Sequence, residues 1–223
     1  MSSSNVTYTL RYFPAIGLAE STRLLLTAAK VEWTEEHPEW PQAKPEQPHG
    51  RLPVLIEKSS DGSPDFVVCE SGNIERYIAR KYNLMPADLQ QAARQEQLRD
   101  LGADVGVSLA VFAYSEVEET KVKAYEKFET LMKTVIEVQT KQLKENGNNG
   151  HLFGDSLSYA DITAYGMYKN LIIGFARFKS DIADCIRPML TPELLKLIST
   201  VEAHPLVEKH TAKADSLVSV VSA

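Results

Sequence analysis

The spacing of apolar residues changes once along the chain, near residue 83, and this change limits the folds that the sequence can adopt. Residues 6–12 place an apolar or aromatic side chain at every second position, which is the period of a strand, and residues 18–30 follow with a helical period. Val31 and Trp33 then indicate a second strand. Beyond residue 83 the helical period takes over, so we expect the sheet to be confined to the first part of the chain.

Two more strands and a helix complete this first part. The apolar runs "LPVLIE" (52–57) and "FVVC" (66–69) flank "KSSDGSPD", whose Asp-Gly and Ser-Pro pairs favour a chain reversal and hence a hairpin. Helical spacing follows at once in "NIERYIARKY". The order strand, helix, strand, strand, strand, helix predicts a thioredoxin-like α/β domain over residues 1–82, with a mixed four-stranded sheet and a right-handed first crossover.

The remaining sequence predicts a linker over residues 83–87 and an all-helical domain over residues 88–223. Apolar residues recur at helical spacing from residue 98 to 112 and again from 122 to 136, which indicates two long helices. After the loop "ENGNNG", a third helix is expected in "SLSYADITAYGMY". Shorter helices are predicted at 192–202 and 205–213.

Ser158 and Asp161 have the S-x-x-D spacing of a structural cap at the start of the third helix. In such a cap, the hydroxyl and the carboxylate each accept a hydrogen bond from free amides of the first turn. Loss of a cap of this kind costs about 1 kcal/mol of stability.

Composition excludes several classes of function. The chain has 24 basic and 30 acidic residues, a formal charge of −6 and no basic cluster, so we expect no nucleic-acid partner. Its longest apolar stretch, at 171–176, is far shorter than the roughly 20 residues of a membrane span, and the N-terminus lacks the features of a signal peptide. A cytoplasmic protein is expected.

Cys69 and Cys185 are too few for a disulfide framework or a metal cluster, so no metal site is predicted.

Tyr12 would end the first strand, just before the helix that starts near Leu18. A tyrosine in this place is either ordinary packing or a catalytic hydroxyl, and spacing alone leaves both interpretations open. The polar, proline-rich loop at 38–48 is also long enough to carry function.

Five local matches, in the right order and spacing, decide between these interpretations. They are "YTLRYF" with "GLAESTRLLL", "EWPQAK", "GRLPVL", "ESGNIERYIARKY" and "GDSLSYADI". The chain resembles the cytosolic glutathione transferase family over essentially its whole length. The Tyr12-Phe13 pair, the spacing from Trp40 to Lys44 and the short N-terminus are most similar to the sigma class, whose relatives are tyrosine-type enzymes.

The resemblance implies that Tyr12 is the catalytic residue and that Tyr8 is structural. A free thiol has a pKa near about 8.5, so only a few per cent of it is thiolate at neutral pH. One hydrogen bond from a phenol to the thiolate is worth roughly 1.5–3 kcal/mol, which lowers the thiol pKa by about one to two units. Related classes use a serine or cysteine at the start of the first helix, but residues 13–20 contain neither.

The resemblance also implies which residues bind the two substrates. Lys44 would meet the glycyl carboxylate, the backbone of Leu52 would pair with the cysteinyl unit through a cis bond to Pro53, and Ser71 would meet the γ-glutamyl carboxylate. The full predicted glutathione set is Trp40, Lys44, Arg51, Leu52, Pro53, Glu70 and Ser71. The predicted electrophile pocket is Phe13, Ile16, Leu18, Val111, Phe112 and Tyr114. For the last three, packing in the helical core is an equally good interpretation.

Three positions depart from the family pattern. Leu18 stands where sigma relatives often have an arginine that supports the thiolate. Glu70 stands where tyrosine-type classes usually have glutamine. The acidic residue that the family's dimer partner lends to the site has Ser108 in its place, with Asp104 one turn earlier.

The implied function is conjugation of glutathione, as co-substrate, to a hydrophobic electrophile by a homodimeric detoxification enzyme. Two alternatives stay open at this point. One is a glutathione-dependent isomerase similar to a prostaglandin synthase, and the other is a non-catalytic protein that binds glutathione or lipophilic molecules or has a structural role.

Overall fold

The structure of the protein is a computed structural model that describes residues 6–177, 179–211 and 216–221. Its N-terminal part contains a four-stranded sheet in the order β2-β1-β3-β4. The strands are β1 (Val6–Arg11), β2 (Glu32–Glu36), β3 (Val54–Ser59) and β4 (Phe66–Cys69). β1 runs parallel to β2 and antiparallel to β3, and β3 runs antiparallel to β4. The predicted mixed, thioredoxin-like sheet is confirmed.

The helices divide into two that belong to the sheet and a group that follows it. α1 (Glu20–Ala28) joins β1 to β2, and α2 (Ser71–Lys81) follows β4. The helical group comprises α3 (Leu89–Tyr114), α4 (Glu118–Glu145), α5 (Tyr159–Lys169), α6 (Ser180–Ile186), α7 (Pro192–Glu202), α8 (Glu208–Thr211) and α9 (Leu217–Val221). In the described part of the chain, no helix is both long and apolar enough to cross a membrane.

Two predicted helices differ from those observed. The helix expected over 205–213 is reduced to α8, and its predicted end, Lys213, lies outside the described residues. The helix expected from Leu18 begins as α1 only at Glu20, because Gly17–Ala19 form a 3₁₀ turn. Gly17 has a φ of +50°, in the left-handed region that glycine adopts more readily than other residues. This turn sets the direction of the Leu18 N–H.

α1 lies at the junction of the two parts of the molecule. It packs against α2 on the sheet side and against α5 on the helical side. Leu24, Leu25 and Leu26 are all completely buried, because successive positions of this helix face protein on both sides. Burial of each such side chain stabilises the fold by about 1.5–3 kcal/mol. The loop before α1 is thereby fixed against both parts of the chain.

Asp161 organises the start of α5 from a completely buried position. Its carboxylate accepts the N–H and the hydroxyl of Ser158, both at 3.0 Å, and the N–H of Leu152 at 2.7 Å. His151 Nδ1 lies 3.2 Å from the same carboxylate, and this hydrogen bond raises the pKa of the imidazole above its usual value. The loop before α5 and its first turn are therefore held by one side chain.

Candidate active site

Tyr12 follows the last residue of β1 and is buried, with 7% of its surface exposed. The Leu18 N–H donates a hydrogen bond of 2.9 Å to its hydroxyl oxygen. Gly17 makes this approach possible, because a Cβ atom on Gly17 would lie 2.7 Å from Tyr12 Cε1 and closer still to the hydroxyl. The loop and the tyrosine therefore form one packed unit.

The surroundings keep the Tyr12 phenol neutral. Burial raises its pKa, and this effect exceeds the opposing influence of the Leu18 N–H and of the Arg23 charge. The Arg23 guanidinium carbon lies 5.8 Å from the centre of the Tyr12 ring. Because the hydroxyl oxygen already accepts from Leu18, its proton is left to be donated to a ligand.

Arg23 was not among the residues predicted from the sequence. Its guanidinium donates to the Glu35 carboxylate at 2.6 Å, to the Ile16 carbonyl at 2.9 Å and to the Glu20 carboxylate at 3.1 Å. An arginine directly before the apolar run "LLL" was the available signal, because a charge that is buried has to be paired. Arg23 supplies the positive charge near Tyr12 that Leu18 does not.

Glu20 extends this buried network to the helical part of the chain. One of its carboxylate oxygens accepts from Lys169 Nζ at 2.8 Å and lies 3.1 Å from His210 Nε2. Burial by itself would raise the pKa of Glu20, but His210 and Lys169 hold it at about 2. The segment that follows Leu18 is thus linked to α5 and α8 through buried polar side chains.

The polar loop brings Trp40 next to the tyrosine. The ring of Phe13 packs edge-on against Tyr12 at 5.3 Å and against Trp40 at 5.5 Å, measured between ring centres. Lys44 is exposed, and its aliphatic chain packs near Gly50. Phe13, expected in the electrophile pocket, therefore lies between two residues predicted for catalysis and glutathione binding.

Glu70 and Ser71 lie together where β4 meets α2. The Glu70 carboxylate is 3.2 Å from His49 Nδ1 and 3.8 Å from Arg51 Nη1. Glu70 has a φ of +67°, a conformation that costs about 1–3 kcal/mol for a residue with a side chain and is found often at functional sites. The Ser71 hydroxyl accepts a hydrogen bond of 3.1 Å from Arg99 Nη2.

The bond between Leu52 and Pro53 is cis, as the resemblance implies. The ladder between β1 and β3 ends at the pair of Arg11 with Val54, so the backbone of Leu52 lies beyond the ladder. Leu52 is half-buried, whereas Arg51 is mostly exposed.

A cavity of about 350 Å³ extends from Ser71 to Leu18 between α1, α3 and α5. Small residues of α3 leave room for it, namely Gly102, Ala103, Gly106 and Ala110. Of the six residues predicted for the electrophile pocket, all of them in the described part of the chain, Leu18 lines this cavity and the other five do not.

The other predicted pocket residues have identifiable positions. Ile16 is buried near Gly174, and Phe112 packs on Tyr125 with 5.1 Å between ring centres. Val111 and Tyr114 are exposed on α3, by 42% and 83%. Tyr114 is close enough to Tyr12 to contribute to the rise in its pKa. On α3 the wall of the cavity is formed around Val107 and Ala110, one turn before the residues predicted for the pocket. Contact of Val111, Phe112 and Tyr114 with an electrophile stays a prediction.

Ser108, which stands in the place of the acidic residue that a dimer partner lends in the family, lies on α3. It is buried within its own chain, and its hydroxyl has no hydrogen-bond partner among the described residues. Asp104 is exposed. Among the described residues, there is also no group of three histidine, cysteine, aspartate or glutamate side chains that could hold a metal ion.

These features define what the site can do. Leu18, whose N–H binds the neutral Tyr12 hydroxyl, lines a mostly apolar cavity. Arg99 and Glu75 line the same cavity beside Ser71. Such a site can bind a zwitterionic molecule and stabilise a developing anion with the phenol.

Known proteins match the chain along most of its length. The family model "Glutathione S-transferase, N-terminal domain" matches residues 8–80, and "Glutathione S-transferase, C-terminal domain" matches residues 103–214. "Putative glutathione S-transferase alpha-2" of Dictyostelium discoideum is 30% identical over 206 residues, which are 91% of this chain and 93% of that relative. "Glutathione S-transferase P 2" of Bufo bufo is 31% identical over 161 residues, 69% and 72% of the two chains.

The solved structure of prostaglandin synthase D of Nilaparvata lugens has the same fold. It superposes with a TM-score of 0.73 at 24% identity and covers 93% of this chain and 98% of its own.

Proposed function

The chain belongs to the glutathione S-transferase family, and from this we propose a tyrosine-type enzyme in which Tyr12 stabilises the thiolate of glutathione. The observation that carries the proposal is the hydrogen bond from the Leu18 N–H to the Tyr12 hydroxyl, at 2.9 Å. It occupies an oxygen lone pair and leaves the phenol proton for the sulfur. The raised pKa of Tyr12 keeps that proton in place at neutral pH.

The reaction has two parts. The thiol of bound glutathione loses its proton to solvent, and the thiolate accepts a hydrogen bond from Tyr12. The sulfur then attacks an electrophilic carbon, so that a C–S bond forms and a leaving group such as halide departs with the electron pair. Stabilisation by about 1.5–3 kcal/mol would raise the thiolate from a few per cent to a large fraction at neutral pH. Arg23, held below the Tyr12 ring, favours negative charge at the same place.

Glutathione would extend from the polar loop to α2. Lys44, beside Trp40, would bind the glycyl carboxylate, and the free backbone of Leu52, with Arg51 and Pro53 on either side, would pair with the cysteinyl unit. Ser71 would bind the γ-glutamyl carboxylate, and the Glu70 carboxylate would bind the γ-glutamyl ammonium.

The second substrate would be a hydrophobic electrophile. Leu18, Val107 and Ala110 line the cavity next to the tyrosine, and Val111 and Tyr114 continue the same side of α3 toward solvent. Leu18 is 54% exposed, which is high for a leucine, and would become buried against an apolar molecule. This surface favours apolar compounds without selecting one.

The finer assignments are proposals of the same kind. We place the chain nearest the sigma class and expect a homodimer of two domains, 1–82 and 88–223, joined at 83–87. Phe66 and Val67 are 49% and 45% exposed on the outermost strand, and a partner would cover them. The mass in solution should be twice that of the chain, and a monomer at micromolar concentration would contradict this.

An isomerase is the second candidate, because it would need the same activated thiolate. The fold shared with the prostaglandin synthase of Nilaparvata lugens is compatible with it. Assay of conjugation and of glutathione-dependent isomerisation on one preparation separates the two functions. A protein that binds glutathione without turning over either substrate would be the non-catalytic alternative.

The test compares the parent protein with Tyr12→Phe and uses Tyr8→Phe as a matched control. Tyr8 lies on β1, the strand that Tyr12 follows, and is also buried, but its hydroxyl contacts Tyr82 and Glu57. We expect conjugation of an activated aryl chloride to fall about 10- to 100-fold in Tyr12→Phe, with glutathione affinity unchanged. Equal rates in Tyr12→Phe and the parent would show that Tyr12 is not the activating group.

A further inference from the structure

A polar cluster lies where α2, α3 and α5 meet at the cavity. It contains Arg99 of α3, Ser71 and Glu75 of α2, and Tyr159 of α5. Arg99 Nε donates to the Glu75 carboxylate at 2.7 Å, and Arg99 Nη2 donates to the Ser71 hydroxyl at 3.1 Å. Ser71, Glu75 and Arg99 all line the cavity. The packing of α2, α3 and α5 thus places the Arg99 guanidinium at the start of α2.

The cluster is more polar than packing requires. Glu75 is 3% exposed and the Arg99 side chain is 16% exposed, so both charges are largely removed from water. A buried ion pair adds little stability over apolar side chains of the same size, whereas one unpaired partner is strongly destabilising. The hydroxyl of Tyr159 is also buried next to the pair and has no hydrogen-bond partner among the described residues. The arrangement is therefore better explained by a ligand than by stability.

We propose that Arg99 is a positioning residue for the γ-glutamyl carboxylate of glutathione, acting through the Ser71 hydroxyl. This inference rests on the proposed function and deepens it. Nη2 of Arg99 occupies the lone pair of Ser71 Oγ, which directs the hydroxyl proton away from α3. That proton then points to the start of α2, where the backbone N–H groups of the first turn are free.

The contacts within the cluster assign a role to Glu75, Arg99 and Ser71 in binding a carboxylate. Glu75 fixes the guanidinium by its Nε, so that Nη2 faces Ser71 in one orientation. A carboxylate bound at Ser71 would accept the serine hydroxyl and lie near the positive charge of Arg99. Two hydrogen-bond donors and a fixed cation are the elements that recognise carboxylates in proteins. The 11 residues of α2 add the favourable potential of a helix N-terminus.

Arg76 provides a matched control on the same interface. It pairs with Glu96 at 3.4 Å and with Asp100 at 2.5 Å, and no contact to Ser71 is formed by it in the described part of the chain. Arg76→Gln removes the same charge from the same pair of helices and leaves the hydrogen bonds of Arg99 to Glu75 and Ser71 in place, together with the contact of 3.6 Å between Arg99 Nη1 and Asp100.

The experiment measures binding of two compounds by calorimetry, with the full-length protein. One is glutathione, and the other is 4-aminobutyryl-cysteinylglycine, which lacks the α-carboxylate of the γ-glutamyl unit. The variants are Arg99→Gln, the neutral pair Glu75→Gln/Arg99→Gln, Arg99→Lys and the control Arg76→Gln. The neutral pair avoids an unpaired buried carboxylate, so it tests binding even if Arg99→Gln fails to fold.

The quantity to compare is the preference for glutathione over the analogue. In the parent and in Arg76→Gln we expect a strong preference for glutathione. In the neutral pair this preference should be smaller by about 10- to 100-fold, and the affinity for the analogue should change little. Arg99→Lys should restore part of the preference. If Arg99 had a merely structural role, its replacement would lower the affinity for both compounds equally and leave the preference unchanged. This result would overturn the proposal. A parent that binds neither compound would instead overturn the proposed function.

Discussion

Gly17→Ala should impair catalysis strongly although the substitution adds a single methyl group. That methyl would lie 2.7 Å from Tyr12 Cε1, whereas ordinary contacts begin at 3.4 Å. The tyrosine ring would therefore have to withdraw by about 0.7 Å, and a misplacement of about 1 Å near a reacting group costs on the order of 100-fold in rate. The withdrawal would also lengthen the hydrogen bond from the Leu18 N–H to the Tyr12 hydroxyl. We expect a loss of about 10- to 100-fold in kcat.

Backbone strain has to be separated from the effect on the tyrosine. Gly17 has a φ of +50°, and alanine in this region costs about 1–2 kcal/mol of stability. Gly62→Ala is the control, because Gly62 has a φ of +83° with no atom within 4 Å of an added Cβ. Both variants should lose stability in urea unfolding through backbone strain, and Gly17→Ala should lose more because it also displaces the Tyr12 ring. The rate should fall in Gly17→Ala and stay at the parent value in Gly62→Ala.

The assay is steady-state conjugation of an activated aryl chloride with varied glutathione. In the Tyr12→Phe background, Gly17→Ala should cost little more, because the hydroxyl it displaces is already absent. A folded Gly17→Ala variant whose kcat stays within about twofold of the control would refute the placement of the Tyr12 hydroxyl at the reacting sulfur.

Two predictions concern the buried ionic groups. Asp161→Asn should lower the free energy of unfolding, measured in urea, by about 3 kcal/mol. Four donors point at the carboxylate, and in asparagine one of the two accepting oxygens is replaced by an NH₂ donor. A loss under about 1 kcal/mol would contradict this. The substitution should also remove the stability that His151 supplies below its unfolded pKa of about 6.5, which is lost as the pH rises through its raised folded pKa. Glu20, with a folded pKa of about 2, contributes about 3 kcal/mol above its unfolded pKa of about 4.5, and this is lost as the pH falls through 2. Lys169→Met should raise the pKa of Glu20 and weaken the dependence of stability on pH between about 2 and 4.5, and an unchanged dependence would exclude this coupling.

The sheet and most helices were predictable because their signals are local. Alternation from residue 6 to 12 and the Asp-Gly turn after β3 each depend on neighbouring residues, and the order of elements then leaves few topologies. The turn at Gly17–Ala19 was missed because it depends on the conformation of one glycine packed on the Tyr12 ring.

The site was predictable only where a motif carries it. The roles of Arg23 and Arg99 depend on contacts between distant segments: Glu20, which binds Arg23, meets Lys169 across 149 positions of sequence. The residues of α3 that line the cavity could not be identified from the sequence for a related reason. α3 is apolar or small on more than one face, so its spacing does not tell which face packs on α4 and which lines the cavity.

The most direct measurement is the pKa of the thiol of bound glutathione, followed by the ultraviolet absorbance of the thiolate in the parent and in Tyr12→Phe. In the parent the thiol pKa should lie about one to two units below the value of about 8.5 for a free thiol. In Tyr12→Phe the thiol pKa should rise most of the way back to the value of the free thiol. The same pKa in both proteins would contradict stabilisation of the thiolate by Tyr12.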